Sequence, residues 1–136
     1  MSQIASGAVH HLTLTVNDVK RSCEFYTSLL GFQVAMELGP KMILSNGKVL
    51  LVLAPPPDAA QKIKNDRFNE NRVGLDHVSL SVASRDNLVA ATQVFDRAKV
   101  SHGEVRDLGP DLGIYVLAFR DPDNIQLEYW LPKSEG

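Results

Sequence analysis

The chain has 136 residues, 44% hydrophobic and 22% charged, with a formal net charge of −2. That length suits one compact domain with a real core and excludes two full-sized ones, and the composition excludes a disordered polyelectrolyte. Basic residues number 14 against 16 acidic ones, and the densest basic spot is Lys20-Arg21, so no nucleic-acid-binding surface is expected. The longest apolar run, residues 49–54, is strand-sized and far short of a membrane span. A single cysteine, Cys23, excludes an internal disulfide and a thiol zinc site and suits a reducing compartment. The opening MSQIASGA lacks the basic start and apolar stretch of a signal peptide. The expectation is a cytoplasmic protein without membrane or nucleic-acid partners.

In chain order, His11 opens HLTLTVND, a strand with Leu12, Leu14 and Val16 on one face and His11, Thr13 and Thr15 on the other. Asn17-Asp18 then signals a helix cap, and Val19, Cys23, Tyr26 and Leu30 recur at helical spacing up to Gly31. Strand-like segments follow at residues 32–36, 41–44 and 49–53, with Ser45-Asn46-Gly47 as a hairpin turn. A polar stretch, residues 55–72, begins with three prolines that break regular structure; within it residues 59–68 are expected to form a short helix.

The pattern then repeats. HVSLSVAS begins at His77, 66 residues after His11, matching its histidine, leucine and valine and setting Ser79 and Ser81 against Thr13 and Thr15. Ser84 caps a second helix carrying Leu88, Ala91, Phe95 and Ala98. Strands are expected at residues 103–106, 114–119 and 125–130, with Asp121-Pro122-Asp123-Asn124 as a type I turn. Gly109, Gly113 and the prolines read as turns. Each half is strand, helix, three strands. The fold class expected is α+β: two tandem βαβββ modules, about residues 8–54 and 73–131 joined by a linker at 55–72, in one domain over residues 1–136. Their mixed sheets would curve into a cup with the helices outside and a polar floor.

Three of these strands place chemistry on the polar face. His11 and His77 occupy equivalent places, and on the last strand Gln126, Glu128 and Trp130 oppose Ile125, Leu127 and Tyr129. Two histidines and one carboxylate bind Fe(II), Mn, Co, Ni or Zn while leaving positions open for substrate. The plain alternative is a pair of pocket-lining histidines and a solvated glutamate; the duplication and the shared face favour metal. His10 points to the apolar side and reads as an edge histidine. His102 and Arg120 read as solvated, and Cys23 as packing rather than a nucleophile. Trp130 would stack on a substrate or sit at the rim of the site.

HLTLTVND followed by FYTSLLGF, then DHVSLSV, then DPDNIQLEY, resembles the vicinal oxygen chelate superfamily of glyoxalase I, bleomycin-resistance proteins, fosfomycin-modifying enzymes and extradiol dioxygenases. The resemblance runs from His10 to Trp130. It implies paired βαβββ modules around a divalent metal held by His11, His77 and Glu128. It also implies substrates that bind through adjacent oxygens, Glu128 exchanging protons with substrate, and a homodimer. Thr13 and Ser79 would then bind substrate oxygens. The sequence departs from each subfamily. No acid occurs in residues 49–53, where glyoxalase-type members place another carboxylate at a position here held by Leu51 or Val52. Thr15 stands where glyoxalases carry arginine, and Ala118 where extradiol and fosfomycin-type members carry tyrosine. The expected function is a metal-dependent lyase, isomerase, epimerase or epoxide-opening enzyme acting on a small molecule. A metal-free binder of the bleomycin-resistance type and a non-haem iron dioxygenase are the alternatives.

Overall fold

A computed structural model describes residues 2–133. They form two compact units that divide between Asn65 and Asp66. In the first, β1 (His11–Thr15) leads into α1 (Val19–Leu29), followed by β2 (Gln33–Leu38), β3 (Lys41–Ser45) and β4 (Leu50–Ala54). The sheet order is β1-β4-β3-β2. β1 and β4 pair in parallel, and the other neighbours are antiparallel. Asp18 caps α1 by accepting from the Arg21 amide at 3.1 Å. Asn46 closes the β3–β4 turn by accepting from the Lys48 and Val49 amides, beside Gly47 at φ 85°.

The core of this unit joins Leu14, Val16, Leu44, Leu51 and Leu53 to Phe25, Tyr26 and Phe32, all buried. The aromatic rings meet edge-on, 5.1 and 6.1 Å between centroids, the offset that their quadrupoles favour. The helix turns Ser22, Phe25 and Tyr26 inward, so its buried stripe is centred slightly away from Cys23. Cys23 is half-buried, and burial, followed by Glu24 and Glu37, raises its thiol pKa. A thiol kept protonated suits packing rather than attack.

The second unit repeats the topology. β5 (Val78–Ser81), α2 (Arg85–Arg97), β6 (Arg106–Asp107), a four-residue α3 (Gly109–Leu112), β7 (Ile114–Arg120) and β8 (Gln126–Pro132) give the sheet order β5-β8-β7-β6. β5 and β8 are the parallel pair. The expected modules are therefore present as two sheets of the same mixed topology, each with its helix. Ser84 caps α2 through the Asn87 amide. The Asp121–Asn124 turn forms as expected, with the Asn124 amide bonded to the Asp121 carbonyl and the Asp121 carboxylate accepting from the Asp123 and Ile125 amides. Phe95, Phe119 and Tyr129 cluster beneath α2, and burial pushes the Tyr129 phenol up to about 12. No helix among the described residues is long and apolar enough to cross a membrane.

Five local expectations are corrected. The helix expected at residues 59–68 is only one 3-10 turn, Ala59–Gln61, capped by Asp58. After Gln61 an apolar stripe is lacking to hold more turns against a core. The strand expected at 103–106 shrinks to Arg106–Asp107, with His102 bridging to Phe119 just before it, and Gly109–Pro110 begins α3 rather than a plain turn. His102 is not solvated. Its Nε2 lies 2.6 Å from Asp96 and its Nδ1 2.5 Å from the Gly103 carbonyl, with 15% of the side chain exposed. Both neighbours are acceptors, so only the imidazolium satisfies both, and the Asp96 bond, then the Gly103 bond, raise its pKa. Nor is Arg120 free. Its guanidinium forks onto Glu70 at 2.8 and 3.1 Å and also donates to the Asn124 carbonyl, tying the segment before β5 to the β7–β8 turn. That bond holds the Glu70 carboxyl down to about 2.

These pairs predict opposite pH limbs. His102 has a raised folded pKa, so its contribution is full below the ordinary value of 6.5 and is lost as pH rises through the raised one. Asp96→Asn should flatten the fall of the urea midpoint as pH rises above 6.5. Glu70 has a lowered pKa, so its contribution is full above the ordinary 4.5 and is lost as pH falls toward about 2. Glu70→Gln should lose stability at neutral pH and show a shallower acid limb in the same titration.

Candidate functional site

In-register partners on neighbouring strands share a face, so pairing decides what each sheet presents. In the second unit Ser79 lies opposite Glu128 and Ser81 opposite Trp130, with Ala118 and Val116 next across on β7. This face carries the expected polar set. Glu128 is 24% exposed, and its Oε1 accepts from the Ser79 hydroxyl at 2.6 Å. The two residues are 49 positions apart in sequence and meet only because β5 and β8 pair in parallel.

His77, just ahead of β5, adjoins the same carboxylate. Its Nδ1 lies 2.8 Å from Asp76 Oδ1, an obligatory acceptor, so Nδ1 carries the proton and Nε2 keeps a lone pair in the neutral ring. Nε2 is 3.9 Å from Glu128 Oε1. That is too long for a hydrogen bond, yet within the ~4.2 Å that two donors span on one ion with bonds of ~2.1 Å. Asp76 is itself held by Gln126, whose amide donates to both its carbonyl and its Oδ1 at 3.0 Å. A carboxylate on the far nitrogen of an imidazole is how proteins orient a metal-binding histidine. The chemistry of His77 and Glu128 thus fits a divalent cation.

The first unit holds the counterparts. His11, Thr13 and Thr15 are exposed on one face of β1 while Leu12, Leu14 and Val16 turn inward. His11 Nδ1 meets His10 Nδ1 at 2.9 Å, so the residue before each repeat histidine grips its Nδ1: His10 in one unit, Asp76 in the other. His10 is therefore exposed and bonded to His11 rather than turned to the apolar side as expected, and for both His10 and Asp76 the signal in the sequence is adjacency to a repeat histidine. On β4, Leu50 pairs with His11 and Val52 with Thr13, whereas Leu51 and Leu53 are buried. By register Val52 is therefore the internal counterpart of Glu128, which resolves the choice between Leu51 and Val52. The expected polar floor is limited to β1 here. Val52, Ile43 and Met36 continue this face in apolar side chains across β4, β3 and β2. Among the described residues, no group of three or more His, Cys, Asp or Glu side chains gathers closely enough to hold a metal ion.

Residues 8–129 match the model of the Glyoxalase/Bleomycin resistance protein/Dioxygenase superfamily. An uncharacterised Bacillus subtilis protein, YwkD, is 28% identical over 130 residues, covering 90% of this chain and 95% of that protein. The crystal structure of a glyoxylase/bleomycin resistance protein/dioxygenase domain from Frankia sp. EAN1pec is 30% identical, with a TM-score of 0.74 over 94% of this chain and 99% of that one. A lactoylglutathione lyase from Agrobacterium tumefaciens is 20% identical with a TM-score of 0.72, covering 97% and 98%. That last likeness is one of fold.

The register of β4 generates a test of which side faces outward. Val52→Glu should leave the fold intact, because the new carboxylate would stand on the open face beside the Thr13 hydroxyl. Leu51→Glu should cost at least about 3 kcal/mol, because it puts an unpaired charge into the core. Urea unfolding of the two variants checks this, and equal destabilisation would contradict the register.

Proposed function

Because the chain belongs to the glyoxalase/bleomycin resistance protein/dioxygenase superfamily, we propose that it is a divalent-metal-dependent enzyme acting on a small substrate with vicinal oxygens. The observation that carries this reading is the Asp76–His77 and Glu128–Ser79 arrangement: a bare imidazole nitrogen and an anchored carboxylate oxygen, 3.9 Å apart. His77 and Glu128 would hold the ion with His11, the counterpart of His77 in the repeat. Fe, Mn, Co, Ni and Zn all accept such a set. When bound, the ion supplies a Lewis acid for the negative charge that develops on substrate oxygen.

The chain's own groups do the rest. Ser79 fixes Glu128 and keeps its oxygen lone pairs for a substrate hydroxyl. Thr13 offers an exposed hydroxyl beside His11. Glu128 takes and returns a substrate proton, as a half-exposed carboxylate next to the reacting atoms can. Trp130, on the same face as Glu128, offers a ring on which a flat substrate stacks. The reaction class is a lyase, isomerase, epimerase or epoxide-opening step.

A second reading, a metal-free binder, is favoured by the apolar face of the first unit. Val52 and Ile43 are half-buried there and Met36 is 54% exposed, a surface suited to an apolar or aromatic compound. A non-haem iron dioxygenase has less support, since the position opposite Glu128 on β7 is Ala118 rather than tyrosine. A homodimer is part of the proposal. Val34, Met36 and Leu38 leave the edge strand β2 about half exposed, and a second copy would cover them. So is a cytoplasmic location, with the free Cys23 thiol in keeping.

Metal analysis after purification without chelator separates the first two readings. Stoichiometric transition metal supports the enzyme, whereas tight binding of an aromatic compound by metal-free protein supports the binder. His77→Ala should abolish stoichiometric metal and leave the melting temperature of the apo protein unchanged, because the side chain is 40% exposed. Glu128→Gln should weaken metal binding at least tenfold in calorimetric titration, with apo stability held. Unchanged metal content in His77→Ala would overturn the ligand assignment.

A further inference from the structure

The first unit contains a cavity of about 550 Å³ lined by Asn17, Arg21, Ala59, Lys62, Lys64 and Asn65. Its volume is that of a small-molecule site. Its chemistry is one-sided: three cations, two carboxamides, one methyl group and no carboxylate. Among the described residues, neither Lys62 nor Lys64 has an ion-pair partner. Arg21 and Asn17 are engaged in contacts of their own. The neighbouring acids are turned to other work: Asp66, next to Asn65, lies 3.7 Å from the Arg72 guanidinium. Asp18 accepts from the Arg21 amide at the start of α1, and Asp58 accepts from the Ala60 amide and the Gln61 side chain.

Unneutralised like charges around one concavity repel one another and focus a positive potential in it. Lys62 and Lys64 flank this space on a segment with no helix to hold, since regular structure ends at Gln61. Their placement has no role in the core, because both are exposed. We infer that this cavity binds a small organic polyanion, a phosphate ester or a polycarboxylate, with Lys62 and Lys64 supplying the charge and Asn65 an amide hydrogen bond. Ammonium groups suit such a ligand as point charges that accept several oxygen geometries. The site shares no lining residue with the Ser79–Glu128 pair and does not depend on the metal proposal.

Calorimetric titration of the full chain with pyrophosphate and with citrate, at low ionic strength without divalent metal, tests it. Saturable binding of one or both is expected, the tighter probe distinguishing a phosphate from a carboxylate ligand. Lys62→Gln and Lys64→Gln should each weaken it about fivefold, and the double variant by the product of the two. Lys48→Gln, a charge change in the β3–β4 turn, should leave binding unchanged. The affinity should also fall with salt, less steeply in the double variant. Both probes failing to bind at millimolar concentration would overturn the inference. So would equal weakening by Lys48→Gln, which marks nonspecific charge attraction. Binding that survives the double variant intact places the anion elsewhere, and that too would overturn it.

Discussion

The parallel pairing of each module's first strand with its last is the contact on which the rest depends. Parallel neighbours cannot be joined by a tight turn, so the chain must travel through a helix and two more strands before it returns. That detour is the module. It brings β5 against β8, so Ser79 and Glu128 meet across 49 positions of sequence. The same pairing sets β1 against β4 and aligns Thr13 with Val52. Without the parallel pair, the hydroxyl and the carboxylate would have no reason to share a face.

The two copies keep one framework and have diverged in what they display. Both retain a histidine followed by alternating hydroxyl and aliphatic residues. Both grip the histidine's Nδ1 with the preceding side chain, an imidazole in His10 and a carboxylate in Asp76. The difference matters electrically: a carboxylate on Nδ1 increases the electron donation of Nε2 more than an imidazole does. The last strands have separated further. Where one carries Glu128, the other carries Val52, and that apolar character continues into Ile43 and Met36. The acid-bearing face suits the enzyme reading and the apolar face the binder reading.

Several ion pairs outside the sheet faces fasten segments together. Arg120 holds the stretch ahead of β5 through Glu70, and His102 joins the end of α2 to the edge of β7 through Asp96. Lys133 likewise meets Asp107 at 3.0 Å, joining the end of β8 to β6. Among the described residues, Lys62 and Lys64, at the cavity of the first unit, make no such pair.

Much was legible from the residues because it rests on short-range rules. The period-2 alternation of HLTLTVND and HVSLSVAS, the Asp18 and Ser84 caps, and the Asp121–Asn124 turn each depend on neighbours a few positions away. Repetition of the whole pattern then implied two modules of one topology, which the sheet orders bear out. What local rules cannot supply is partnership at a distance. Whether Leu51 or Val52 faced outward depended on the β1–β4 register, since a slip of one residue inverts a strand. Whether His102 and Arg120 were solvated depended on Asp96 and Glu70, which only the folded chain brings within bonding distance. The failure of the helix at residues 59–68 has the same origin: propensity alone does not hold a short helix in water, and only packing against a core decides whether its turns persist.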